Sequence, residues 1–400
     1  MKRINITPRQ NWSTQIEALG FDFYHINGIP YWHESAYYEF SAAEIDEFEA
    51  AANAVHQLCL RAVERIISER LYPLLGIDID VGKLIAKSWE KREPAIYGRF
   101  DFLYDGSGPP KLLEYNADTP SSLFEASIVQ WQWREQVFPN ADQFNSIEES
   151  LTERWRSMLI GQWVDDGRGN NIADQLYVTT AAPHPEDEHT VQYMGSIAEK
   201  AGFKVEFIPI QEIGWNGRDF TTRAEVAMRQ IFKLYPWEWL MADPFGENIA
   251  AQMRGETGTT STWLEPIWKM LLSNKGILPI LWEMFPEHEN LLPAYRDPSA
   301  FGNAAYVAKP NLGREGSNIT IYDATGKVIQ KTEGSYGNDG PLPGHGTYVY
   351  QGLGESAAFD GIRPNLGVWM ANDRACGMGI REDDTLVVAN GSRFVPHIFT

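Results

Sequence analysis

Cysteine is nearly missing from these 400 residues. The chain has two, Cys59 and Cys376, far apart and without a paired spacing, so neither a disulfide framework nor a zinc motif is suggested. Long uncharged apolar runs are missing too. No stretch approaches the length of a membrane span, and Met1-Lys2-Arg3-Ile4-Asn5 is not followed by a run of signal-peptide length, so the expectation is a cytoplasmic protein with no membrane partner. Positive charge is in short supply: 34 Lys and Arg face 54 Asp and Glu, a formal −20, and such a field repels phosphate backbones, which argues against nucleic acid as a partner. The same excess serves solubility, or draws in a cation such as a polyamine. Internal repeats and low-complexity tracts are absent as well.

Four hundred residues exceed the size at which one core keeps growing, so two or three subdomains with a ligand cleft between them are expected. The stretch from Gly98 to Asn116 organises the rest. Asp105-Gly106-Ser107-Gly108-Pro109 is dense in turn formers and lies between two short runs rich in aromatic and branched residues, which predicts a β-hairpin. Strand alternation puts Arg99 and Asp101 on one face, Phe100 and Phe102 on the other, and Glu114 with Asn116 on one face of the return strand. If the polar faces coincide, one guanidinium, two carboxylates and a carboxamide converge, a set suited to Mg²⁺ with an anionic substrate beside it. Taken alone, the same residues also describe a solvated face with a surface ion pair.

The aromatics between Phe21 and Phe40 suit an N-terminal arm packed on the body, or a pocket wall. Ser41 and Glu44 form a capping box before an apolar stripe from Ile45 to Ile66 that carries Cys59, a structural helix. Thr119 caps a predicted helix from Pro120 to Val137, whose N-terminus with Ser121 and Ser122 reads as a plain cap or as an anion site. Ser146 and Glu149 open another helix to about Trp163, and Asp165 to Asn171 mark a subdomain boundary.

Strand 176–181, helix 187–202 and strand 205–210 make a βαβ unit and imply a small parallel sheet. His184, Asp187, Glu188 and His189 follow the first strand but fit no metal-ligand spacing. Arg223 to Leu234 is predicted helical, 243–262 a connection that is either lid or linker, and Lys275 an exposed lysine. Farther on, strand 304–310 ends in Lys309-Pro310, and Asn311 to Asn318 is a glycine-bearing loop before paired strands at 319–323 and 327–330. That arrangement makes a flap able to cover phosphates with backbone N–H groups, without P-loop spacing and so without a Walker-type fold. Strands are also expected around 347–351, 368–370, 379–384 and 386–388. Lysines, a cradling loop, metal-binding carboxylates and Arg381 are what phosphoryl chemistry requires.

Several of these runs carry a resemblance: Arg99-Phe100-Asp101, Leu113 to Pro120, Phe232 to Glu238, Ser273-Asn274-Lys275, Val307 to Pro310 with Arg314-Glu315-Gly316, and Gly379 to Asp383. In the same order over essentially the whole chain, they look like the synthetase half of glutathionylspermidine synthetase. They resemble still more closely the stand-alone bacterial acid–amine ligases of that family. The resemblance implies an α/β (α+β) chain with a circularly permuted ATP-grasp fold and a pre-ATP-grasp region that contains the small parallel sheet. The division it suggests is 1–164, with the metal-binding hairpin at 95–116; 165–235, the βαβ subdomain; and 236–400, the nucleotide-binding region completed by the hairpin. It implies ATP and two Mg²⁺ as cofactors, activation of a carboxylate as an acyl phosphate, and attack by an amine to give an amide, ADP and phosphate.

Carried over by position, Asp101 and Glu114 resemble the ligands of one Mg²⁺, and Glu114 with Asn116 those of the second. Arg99 and Arg381 would stabilise the reacting states, and Arg99 with Phe100 and Asp101 would border the nucleotide. Lys275 and Lys309 would contact phosphates, Gly316 would belong to the flap, and Gln351 with Leu386, Val387 and Val388 would wrap adenine. Two departures stand out: Leu234 occupies a position where the family's glutathionylspermidine-forming members carry threonine, and nothing resembles their amidase half. Both leave the small-molecule acid and amine open. The competing reading is a nucleotide-binding regulatory or partner-binding module without turnover.

Overall fold

Strand alternation in the hairpin is realised as read, and much of the chain is arranged around it. The computed structural model describes every residue except 27, 161–171, 258–260, 335–346 and 390; the boundary expected at Asp165 to Asn171 and the helix end near Trp163 fall outside the described residues. Strands Tyr97–Leu103 and Lys111–Asn116 pair antiparallel with Arg99 opposite Asn116 and Asp101 opposite Glu114. They form one edge of a five-stranded sheet in the order 393–395, 374–383, 363–371, 97–103, 111–116. Segments distant in sequence thus share one sheet.

Phe100 and Phe102 are fully buried on the sheet's core face, where Phe100 stacks on Tyr115 with ring centroids 3.8 Å apart. Phe48, from the helix Ala42–Ser68, meets Phe102 edge-on. Burying each such ring contributes roughly 2–3 kcal/mol, and a one-residue slip would forfeit both while driving Asp101 into the core. The helix itself starts with the expected reciprocal box, the Ser41 hydroxyl accepting from Glu44 N and the Glu44 carboxylate accepting from Ser41 N. Cys59 lies on its buried stripe.

The second unit is the predicted small parallel sheet, with four strands in the order 262–264, 230–234, 175–180, 204–207 and every pairing parallel. Its crossover helix Pro185–Ala201 ends at Gly202, whose φ of +112° is the left-handed cap that glycine adopts without strain. A third sheet runs 294–295, 348–352, 306–310, 320–322, 328–331, all antiparallel; it contains Lys309 and the predicted flap strands. Residues 21–40 pack as an arm: Phe21, Tyr31, Trp32, Tyr37, Tyr38 and Phe40 are buried.

Five expectations are corrected. Arg223 to Leu234 is not a helix, because Gln230–Leu234 is a fully buried strand inside the parallel sheet. Within 243–262 a helix, Gly246–Arg254, replaces the open connection. Pro120 does not start a helix: Ser122 sits at φ +66°, helical structure begins at Leu123, and a π-helical turn, Glu125–Val129, precedes the helix Gln130–Val137. Ser146 does not cap its helix, since its hydroxyl donates to the carbonyl of Cys376 instead. Residues 386–388 are not a strand.

Candidate functional site

One extra residue sets the hairpin's chemistry. Asp101 faces Glu114, but the next pair is Phe102 with Leu112, so Leu113 bulges out of the ladder. Without the bulge, Leu112 and Glu114, two residues apart, would share a face. With it, Leu112 is buried in the core while Glu114 turns to the polar face with Asp101. The freed Leu113 carbonyl accepts from Lys309 Nζ at 3.3 Å.

Around these carboxylates the cations close in. Arg99 Nε donates to Asp101 Oδ1 at 2.7 Å, and its Nη1 to the carbonyl of Ser121 at 2.7 Å. Asn116 Nδ2 donates to Glu114 Oε1 at 3.0 Å. Lys275, expected to be exposed, is 7% exposed and places Nζ 2.7 Å from Glu114 Oε2 and 3.0 Å from the carbonyl of Gly313. Lys309 Nζ donates to Gln351 Oε1 at 2.7 Å, and Gln351 Nε2 to the carbonyl of Leu112 at 2.9 Å. Hairpin and flap sheet are therefore laced together by two lysines and a glutamine.

Burial alone would raise the Glu114 carboxyl, but the Lys275 charge and hydrogen bond, with Lys309 behind them, hold it down at about 2. Burial lowers the Lys309 ammonium to about 8, with Glu114 pulling the other way and Lys275 reinforcing the drop.

Gly316, at φ +67°, packs so tightly that a Cβ there would stand 2.6 Å from the Val388 carbonyl oxygen and 2.7 Å from Val387 Cγ1. Val387 in turn packs with Val307 and Ile321 of the flap sheet, and the Leu386 amide donates to Gln330. These predicted residues meet as a group. Phe100 does not join them through its side chain, which faces the core.

Arg381 sits farther along the sheet, where Nη2 donates to the carbonyls of Ala389 and Ser392 and the guanidinium carbon lies 5.5 Å from the ring centroid of Tyr31. His184 and Asp187 are used in helix capping, and His189 packs among Phe21, Phe23 and Phe124.

Several participants have partners that no local signal could give. Gly367, opposite Asp101, leaves room for the Arg99 side chain, since a Cβ there would be 2.8 Å from Arg99 Cδ. Asp118, just past the hairpin, accepts from Lys233 Nζ at 2.6 Å and from the Trp237 amide at 2.9 Å, fastening the strand exit to the parallel sheet. Ser273 Oγ accepts from the amides of Ala117 and Asp118. Arg314 reaches from the flap loop to Thr119. Asp118, Thr119, Lys233, Trp237, Ser273 and Arg314 all stood in the runs that carried the resemblance, but each partnership spans many residues, so the pairings themselves were not readable; Gly367 stood in no such run.

Among the described residues no group of three or more His, Cys, Asp and Glu side chains is disposed to hold a metal ion. The hairpin offers two carboxylates and an amide. That sparse set fits Mg²⁺, which keeps several waters and takes its other oxygens from substrate phosphates.

A mixed α/β chain with this arrangement of sheets is matched by the family model described as glutathionylspermidine synthase preATP-grasp over residues 3–400, and the chain belongs to that family as an enzyme of its kind. A Haemophilus influenzae protein provisionally named an acid–amine ligase is 38% identical over the full length of both chains. The trypanothione synthetase of Crithidia fasciculata is 28% identical across 86% of this chain, and the bifunctional glutathionylspermidine synthetase/amidase of Escherichia coli 26% across 93%; the matches span 54% and 60% of those longer proteins. In fold, the glutathione synthetase like-effector of Globodera pallida, solved in its apo form, superposes with a TM-score of 0.54 at 11% identity, covering 90% of this chain and 89% of the other. No helix among the described residues is long and apolar enough to cross a membrane.

Proposed function

We propose that this chain is an ATP-dependent carboxylate–amine ligase that forms an amide through an acyl phosphate and releases ADP. In this reading, 236–400 and the hairpin together make a circularly permuted ATP-grasp site, 165–235 supplies three of the four strands of the pre-ATP-grasp sheet with 262–264 the fourth, and 1–164 supplies the hairpin. The observation that carries it is the convergence of Lys275, Lys309 and Glu114 from three separate parts of the chain, with Lys275 Nζ 2.7 Å from Glu114 and Lys309 on the adjacent Leu113 carbonyl.

Asp101 and Glu114 would hold one Mg²⁺, and Glu114 with Asn116 a second; once bound, the ions would neutralise the β- and γ-phosphates. Lys275 and Lys309 would then leave their protein partners for phosphate oxygens. Gly316 and its loop would close over the phosphates, while Gln351 and Leu386 to Val388 would border the base; Phe100 would contribute only backbone. Arg99 and Arg381 would stabilise charge as the carboxylate attacks and again as the amine attacks. The relatives' names support a ligase; the acid and the amine are small molecules left open by Leu234.

Magnesium-dependent ADP release, screened over pairs of acids and amines with mass detection of the amide, tests this. Release that requires both substrates supports the ligase. Nucleotide binding without turnover under any supplementation, or a stable phosphorylated product without amine, overturns it.

A further inference from the structure

Tyr31 and Glu125 have no part in the scheme above, yet they are 2% and 1% exposed, and the Tyr31 ring lies beneath one of its two arginines. The Tyr31 hydroxyl donates to Glu125 Oε1 at 2.7 Å and lies 2.8 Å from Ser122 Oγ. Over the face of the Tyr31 ring stands the Arg381 guanidinium, 5.5 Å from the centroid. On the other side Arg99 donates to the carbonyl of Ser121. Adjacent residues Ser121 and Ser122 thus tie to both arginines, one directly and the other through the tyrosine. A phenol that donates to a carboxylate presents a more electron-rich ring, which strengthens its attraction for a guanidinium above it.

We propose that Tyr31 and Glu125 are a buried positioning pair that sets Arg381 against Arg99 across the Ser121-Ser122 turn, so that both guanidiniums reach the reacting centre together. The inference rests on the ligase reading.

The groups that act on Glu125 from neighbouring elements are Tyr31 on the N-terminal arm, Glu186 in the first turn of the 185–201 helix, and Arg381 on the 374–383 strand. Burial first, and the Glu186 charge second, push the Glu125 carboxyl up to about 7, against the Tyr31 hydrogen bond and Arg381. The carboxylate that polarises Tyr31 is therefore present above neutrality and lost below it.

The test is the pH profile of kcat for ADP release in the parent, Tyr31→Phe and Glu125→Gln, with KM for ATP and thermal melting alongside. The parent should show an acid limb near pH 7. Tyr31→Phe, which keeps the ring, should lose roughly tenfold or more in kcat with KM for ATP little changed, and Glu125→Gln should lose the limb. Folded variants that keep the parent's kcat and limb, or whose kcat and KM move together, overturn the pair. A parent that releases no ADP with any acid and amine would instead be a failure of the ligase reading. Carboxyl-carbon NMR of Glu125 then decides: titration near pH 7 that shifts on Tyr31→Phe and Arg381→Lys supports the pair, and an ordinary carboxylate titration indifferent to both overturns it.

Discussion

Lys275 Nζ lies 2.7 Å from Glu114 Oε2, joining a loop between two helices to the hairpin more than 150 residues earlier. In the proposed cycle this pair opens when phosphates and magnesium arrive, so it holds the cleft's charges in balance until then.

Replacing Glu114 by Gln should therefore have two separable effects. Magnesium-dependent ADP release should fall by on the order of a hundredfold or more, and urea unfolding should show a loss of about 1–3 kcal/mol, because Lys275 stays buried without its countercharge. Adding Lys275→Met should recover part of the stability and none of the turnover. The Glu114 carboxyl is depressed from 4.5 to about 2, so the stability it contributes is present above pH 4.5 and is lost as pH falls through about 2. Glu114→Gln should correspondingly flatten the acid-unfolding curve in that window.

Lys309 gives a prediction on the alkaline side. Its ammonium is lowered to about 8 by burial, so in the free protein it discharges as pH rises through 8. Affinity for the nucleotide should decline over the same range. Lys309→Arg, which stays charged, should remove that decline, measured by calorimetric titration with ATP. For folding the sign is opposite. Between about 8 and 10.5 the unfolded chain binds more protons at this residue, so the destabilisation caused by burying the charge is relieved as pH rises.

The hairpin was legible because its signals are local: five turn formers between alternating runs, and a period of two that sorts Asp101 from Phe100. The Ser41 box was legible for the same reason. The strand Gln230–Leu234 was not. A segment buried on both faces has no period to read, and its flanking Ala, Glu, Met, Arg and Gln residues favour helix. Lys233 in its middle looks like a polar helix face until Asp118, 115 residues earlier, is seen to neutralise it. The helix start at Pro120 failed because the Ser121 carbonyl is taken by Arg99 and Ser122 stands at φ +66°, so the helical ladder begins only at the Ser122 carbonyl, which accepts from the Ala126 amide.

That buried pair makes its own forecast. Lys233 has no exposed side-chain surface and Asp118 has 4%. Lys233→Met should cost about 3–5 kcal/mol in urea unfolding, since it leaves an unpaired carboxylate in the interior. Asp118→Asn added to Lys233→Met should recover much of the loss, because the amide oxygen still accepts from the Trp237 amide while the charge is gone.

The bulge at Leu113 offers the sharpest separation of backbone from side chain. Deleting Leu113 would make Leu112 and Glu114 neighbours on a regular ladder, which take opposite faces, so the core keeps Leu112 and the cleft keeps Glu114 while Lys309 loses the carbonyl it donates to. The deletion should lower magnesium-dependent turnover roughly tenfold and stability by about 1–3 kcal/mol, because the buried Lys309 ammonium is left with one acceptor fewer. Leu113→Ala keeps the extra residue and its carbonyl to Lys309, removing only a half-buried side chain. It should retain turnover within a few-fold and lose no more than about 1 kcal/mol, as partial exposure leaves little transfer energy to forfeit. Equal behaviour of the two variants in ADP release and unfolding would show that the Leu113 carbonyl does not hold Lys309 at the cleft.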